Sequence, residues 1–114
     1  MLLKQFYEQA GGNYEEVTRR LMNEDFVKKF LLKFIDDKSY ELLMANVEND
    51  NKEAFRAAHT LKGVCQNLGL GKLYSSSVAV TEALRNGKND VTKEMLDEIT
   101  RDYEMTIELI KELD

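Results

Sequence analysis

The 114-residue chain contains no proline, where average usage of about 5% would place roughly six. Proline interrupts helix interiors and marks many turns. A chain without any is free to run in helix from one glycine or polar turn to the next. Leu, Glu, Lys, Met and Ala, all good helix formers, are plentiful. Apolar residues recur at spacings of three and four, and strand-like alternation never lasts more than a few residues. The sequence predicts an all-α protein.

Glycines and short polar runs divide the chain. Gly11-Gly12 separates an amphipathic stretch carrying Leu2, Leu3, Phe6, Tyr7 and Ala10 from another with Tyr14, Val17 and Leu21. Asn23 reads as the N-cap of a helix with Glu24 and Asp25 in its first turn and an apolar stripe of Phe26, Val27, Phe30, Leu31 and Phe34. Ser39 is placed to cap the next helix, whose Tyr40, Leu43, Met44 and Val47 fall on one side. Glu48-Asn49-Asp50-Asn51 is a polar turn rich in capping residues. Helices are then expected from Asn51 to Leu68, from Lys72 to Arg85, and from beyond Asp90 to the C-terminus. Gly69-Leu70-Gly71 and Asn86-Gly87 supply the stops between them. The three long segments and the one from Asn23 suit an antiparallel four-helix bundle with short loops, the two N-terminal stretches packing across one end.

This length fits a single domain spanning residues 1–114. Hydrophobic residues at 43% and charged residues at 32% describe a globular chain and not a disordered one. A lone cysteine excludes an internal disulfide, and one cysteine with one histidine cannot make a zinc site alone. No apolar run approaches the roughly 20 residues of a membrane span, and the N-terminus lacks the apolar core of a signal peptide. The net charge of −5 argues against nucleic acid as a partner. The chain reads as a cytoplasmic protein and, with a methionine at its start and a charged helix at its end, as free-standing.

One segment breaks the pattern. Of six glycines, Gly63 alone lies inside a helical run, where glycine costs about 1 kcal/mol relative to alanine. At roughly 100° per residue, Ala54, Ala57, Ala58, Leu61, Val64, Cys65 and Leu68 form the core face, and Gly63 falls opposite. Packing inside the protein therefore does not account for it. The single histidine, His59, sits one turn before Gly63, on a stripe shared with Gln66 and Lys52 and flanked by Arg56 and Lys62. From Asn51 to Lys72 four cations stand against one acid, a net of +3, so the remainder of this chain of net −5 carries −8. An anion such as phosphate suits that patch. The residues alone are equally compatible with a solvated surface histidine beside a tolerated glycine.

The run Ala58-His59-Thr60-Leu61-Lys62-Gly63, followed by Leu68-Gly69, resembles the histidine-containing phosphotransfer (Hpt) domain family, small helical bundles of multistep two-component signalling. The motif covers about fifteen residues and the bundle pattern nearly the whole chain. The resemblance implies that His59 is phosphorylated on its imidazole and that Lys62 neutralises the phosphoryl group. Gly63 would let a receiver domain descend onto His59, and Gln66 would orient the imidazole or phosphate. Arg56 and Lys52 are the remaining candidates for partner contact. Val64-Cys65 departs from the family, many members of which carry Ser or Ala there. A neutral imidazole nitrogen is a competent phosphoryl acceptor. The chain has no nucleotide-binding glycine loop and no acidic metal cluster. The resemblance therefore implies no metal and no cofactor of its own, with Mg²⁺ and the aspartate supplied by the partner. The partners would be response-regulator receiver domains, a hybrid sensor histidine kinase, or both, and the protein would be a monomeric phosphoryl shuttle without kinase activity.

Two other functions are compatible with a helical bundle. A kinase dimerisation fragment would also carry a phosphorylated histidine, but there an acid usually follows it where Thr60 stands here, and the chain has no room for an ATP-binding domain. A non-catalytic bundle that only binds receivers would not need His59, Lys62 and Gly63 together. A Cys65–His59 catalytic pair is disfavoured by position, since Cys65 projects about 120° around the helix from His59.

Overall fold

The computed structural model describes residues 1–114. It is all-helical: α1 (Leu3–Ala10), α2 (Tyr14–Arg20), α3 (Glu24–Phe34), α4 (Ser39–Asn46), α5 (Asn51–Leu68), α6 (Gly71–Ala83), a short 3-10 turn (Arg85–Gly87) and α7 (Lys93–Lys111).

Local chemistry sets most of the boundaries. The Asn23 side chain accepts a hydrogen bond from the Phe26 amide, so it caps α3 as the sequence predicts. Asp50 caps α5 through the Glu53 amide, and Thr92 caps α7 through the Met95 amide. Gly69 closes α5 with a left-handed φ of 70°. Ser39, expected as a cap, is instead the first residue of α4 and is buried; its amide donates to Asp37 Oδ1 at 2.8 Å. The acid two residues earlier makes the stronger acceptor. The helix expected over 72–85 runs one residue earlier and ends at Ala83, because Asn86 and Gly87 take positive φ values and tighten the exit into the 3-10 turn.

Neighbours along the chain are neighbours in space, α4 against α5, α5 against α6, and α6 against α7. Ala54, Ala57, Ala58, Leu61, Cys65 and Leu68 are the buried face of α5, as its periodicity requires, and Val64 lies half-buried at the edge. Small side chains at 54, 57 and 58 allow close approach of the flanking helices. Leu73, Ser77, Val80 and Leu84 present a matching buried stripe, and Ile99, Leu109 and Ile110 close the core from α7. Each fully buried leucine contributes about 1.5–3 kcal/mol of transfer free energy. The wide stripe expected on α3 divides: Val27, Leu31 and Phe34 are buried, while Phe26 and Phe30 stay 45% and 39% exposed. Each exposed ring sits one position, about 100°, before a buried residue and so turns off the packed face. Met44 likewise remains exposed.

The first helix fastens one end of the molecule. There α5 ends, α6 begins and α7 ends. The Tyr7 hydroxyl donates to the Leu68 carbonyl, and the Met1 ammonium pairs with Asp114 at 3.0 Å. Gly71 abuts Gly11 backbone to backbone. At the opposite end the side-chain amide of Asn51 bonds the carbonyls of Leu84 and Lys88, and that of Asn89 bonds the Val47 carbonyl. Between the ends, Tyr40 of α4 stacks on Tyr103 of α7 with ring centroids 4.0 Å apart. His59 lies midway along α5, on a helix pinned at both ends.

Candidate functional site around His59

Because α5 turns its apolar face wholly inward, the opposite face is left to solvent along its length. His59, Thr60 and Gly63 are exposed, as are Lys52, Arg56 and Gln66. Lys62 is half-buried, and its charge is felt at Glu82 of α6. A Cβ built on Gly63 would meet no atom within 4 Å. The space above Gly63 is therefore open, and nothing within the protein uses the missing side chain.

The surface around the histidine divides into two adjacent hollows. Lys52, Phe55, Arg56, His59, Thr60 and Arg85 line the first. Glu16, Arg20, Gly63, Gln66 and Asn67 line the second. The residues singled out from sequence thus share one face of α5 but fall into two groups, with Lys62 lining neither. Arg56 is engaged by Glu53 at 3.2 Å in an exposed i, i+3 pair. Such pairs hold a side chain weakly, at about 1 kcal/mol or less.

Three residues complete the site that the sequence did not single out. Phe55, one turn before His59, places its ring centroid 5.9 Å from the imidazole centroid at a tilt of 36°. Arg85, from the turn after α6, lays its guanidinium 5.3 Å from the Phe55 centroid, within cation–π range. Arg20 of α2 donates to Asn67 at its side-chain oxygen (3.0 Å) and its backbone oxygen (2.7 Å), and to Glu16 at 2.8 Å. Phe55 carried a signal, its i, i+4 spacing to His59. Arg20 and Arg85 carried none, since they lie 39 and 26 positions away in sequence and reach the site only through packing.

The electrostatics centre on Glu82. Its hydrogen bond from Arg85 Nε, at 2.5 Å, holds the carboxyl below the usual carboxylate range, and the charges of Arg85, Lys62 and Lys88 lower it further. Cys65, by contrast, is buried on the core side and takes no part in this surface. Burial pushes its thiol up to about 12, so it stays protonated and inert. No three His, Cys, Asp or Glu side chains come together as a metal site, and no helix is long and apolar enough to cross a membrane.

The surface thus offers an accessible imidazole, unobstructed space one turn away, and lysine and arginine side chains around both. That combination allows an anion-bearing partner to approach a ring nitrogen closely. No curated protein and no solved structure matches the chain. The Hpt domain family model matches residues 1–113, and with all but the last residue covered, the chain belongs to the Hpt domain family.

Proposed function

We propose that this chain is a single Hpt domain whose His59 accepts a phosphoryl group from the aspartyl phosphate of one receiver domain and passes it to another. Hpt domains act by histidine phosphotransfer in two-component phosphorelays and interact with receiver domains and histidine kinases. The observation that carries the assignment to His59 is the open space over Gly63 beside the chain's single, exposed histidine. The packing of α4 on α5, α5 on α6 and α6 on α7 supports an antiparallel four-helix bundle as the scaffold, with α4 in the place expected for the helix from Asn23.

In the forward step a ring nitrogen of His59 attacks the phosphorus in line with the aspartyl oxygen. The N–P bond forms as the P–O bond breaks, the aspartate leaves as a carboxylate, and the ring returns to neutrality by losing its remaining N–H proton to water. Transfer to the second receiver reverses these bonds on a new aspartate. Phosphoryl transfer rests on positioning and charge stabilisation. Gly63 supplies the clearance, Lys62 the cation one turn from the acceptor, and Gln66 with Arg56 and Lys52 a polar rim for the partner. Mg²⁺ belongs to the receiver in this scheme, and the protein works as a cytoplasmic monomer with no kinase chemistry of its own.

Incubation with a radiolabelled, phosphorylated receiver tests the reading. Label should move to the parent protein and not to His59→Gln. Equal labelling of the two, or none of either, refutes it.

A further inference from the structure

The cations around His59 are not all free. Arg85 Nε is bound to Glu82 at 2.5 Å while its guanidinium rests on Phe55, whose ring in turn neighbours the imidazole. Arg85 and His59 line the same hollow. Its terminal nitrogens have no partner within the protein. We propose that Glu82 is a positioning residue that keeps the Arg85 guanidinium partly neutralised beside His59, and that a phosphoryl group on His59 competes for it, so that Glu82 sets how long phosphohistidine lasts. This rests on His59 being the phosphorylated residue.

The physical reason is competition between anions for one guanidinium. A phosphoryl group carries nearly two negative charges and three acceptor oxygens, and Arg is suited to bind it through paired N–H groups. Loss of the group to water passes through a loose transition state in which phosphoryl charge is dispersed. A guanidinium seated on the oxygens of the resting group loses that fit as the phosphorus moves away from the imidazole, and so favours the phosphorylated protein over the transition state for its hydrolysis. Glu82 weakens that cation. Its influence extends beyond Arg85, because the charges of Lys62 and Lys88 are also felt at its carboxyl. Lys62 belongs to α5 and Arg85 to the turn after α6, so one carboxylate feels cations from both elements.

The test uses phosphoramidate, which gives its phosphoryl group to a ring nitrogen as its own P–N bond breaks and ammonia leaves. Labelled protein is followed by phosphorus NMR or intact mass. Glu82→Gln should lengthen the phosphohistidine half-life about threefold, the scale of one exposed ion pair. Glu82→Asp, which keeps the charge, should not. In an Arg85→Ala background, Glu82→Gln should have no further effect, an outcome a merely structural role would not give. Phosphorylation should also raise the Glu82 pKa, read from its carboxyl carbon shift. A half-life unchanged or shortened in Glu82→Gln, or lengthened equally with and without Arg85, overturns the proposal. Failure of phosphoramidate to label the parent overturns it as well. Successful chemical labelling with no transfer from a receiver instead counts against the phosphorelay reading and leaves the half-life comparison decisive for Glu82.

Discussion

The hydroxyl of Tyr7 donates a 2.7 Å hydrogen bond to the carbonyl of Leu68, joining α1 to the end of α5 across 61 positions of sequence. Leu68 closes the helix that carries His59, and its carbonyl lies among those a helix end leaves without an intrahelical partner. Tyr7 is itself buried against Phe6 in an edge-to-face pair. Tyr7→Phe keeps the ring and removes the bond. It should lower stability by about 1 kcal/mol, the ordinary net worth of a buried hydrogen bond. A urea midpoint matching that of the parent would show that water replaces the hydroxyl.

Glycines 63 and 71 should behave as opposites. A Cβ on Gly71 would stand 2.0 Å from the Gly11 carbonyl oxygen, a backbone atom that cannot step aside. Gly71→Ala should therefore cost about 1–3 kcal/mol as the end of the bundle is pushed apart. A Cβ on Gly63 meets nothing, so Gly63→Gln should raise helix stability by about half a kcal/mol or more. The same variant should accept phosphate from a receiver at least about tenfold more slowly, since a side chain would project into the docking space beside His59, on the scale of about 1.4 kcal/mol per tenfold. Thermal melts paired with transfer rates check both. Loss of stability in Gly63→Gln, or transfer at the parental rate, contradicts the assignment.

Lys62→Ala should leave the melting temperature within a few degrees of the parent while slowing transfer or shortening the life of phosphohistidine. Lys62 sits one turn from His59, and a charge-assisted contact to phosphate is worth about 1.5–3 kcal/mol when formed. Equal rates and equal lifetimes would reduce it to a surface cation.

Stability should fall on the alkaline side, and two buried groups explain why. Burial raises the Cys65 thiol from an ordinary 9.0 to about 12, and it raises the Tyr7 phenol from an ordinary 10.0. Above about pH 9 the unfolded chain releases protons that the folded protein retains. The folded state then binds more protons, and unfolding becomes easier as pH rises, by up to about 1.4 kcal/mol per pH unit for each group. Cys65→Ala should postpone the onset from about pH 9 to about pH 10, where tyrosine begins to ionise. Denaturant midpoints between pH 8 and pH 11 decide this, and identical profiles for parent and variant would exclude the thiol as a contributor.

The helices and the face of α5 that carries His59 were legible in the chain alone. Both follow from local rules. A missing proline, a cap at Asn23, the capping-rich run from Glu48 to Asn51, stops at Gly69 and Gly87, and a 3.6-residue repeat act within a few positions of themselves. The orientation of His59 and Gly63 away from the buried Ala58, Leu61 and Cys65 is a property of one helix, and it is present in the structure as the spacing requires. Packing of the helices against one another chooses which distant residues share that surface. Arg85 and Glu82 arrive because α6 packs back along α5, and Arg20 because α2 folds onto the end of that helix. The exposure of Phe26 and Phe30 was settled in the same way, by which side of α3 the remaining helices cover. Periodicity reports that a helix has an apolar side. Only the assembled core, through the excluded volume of neighbouring helices, fixes how much of that side is buried and which charges are carried to the histidine.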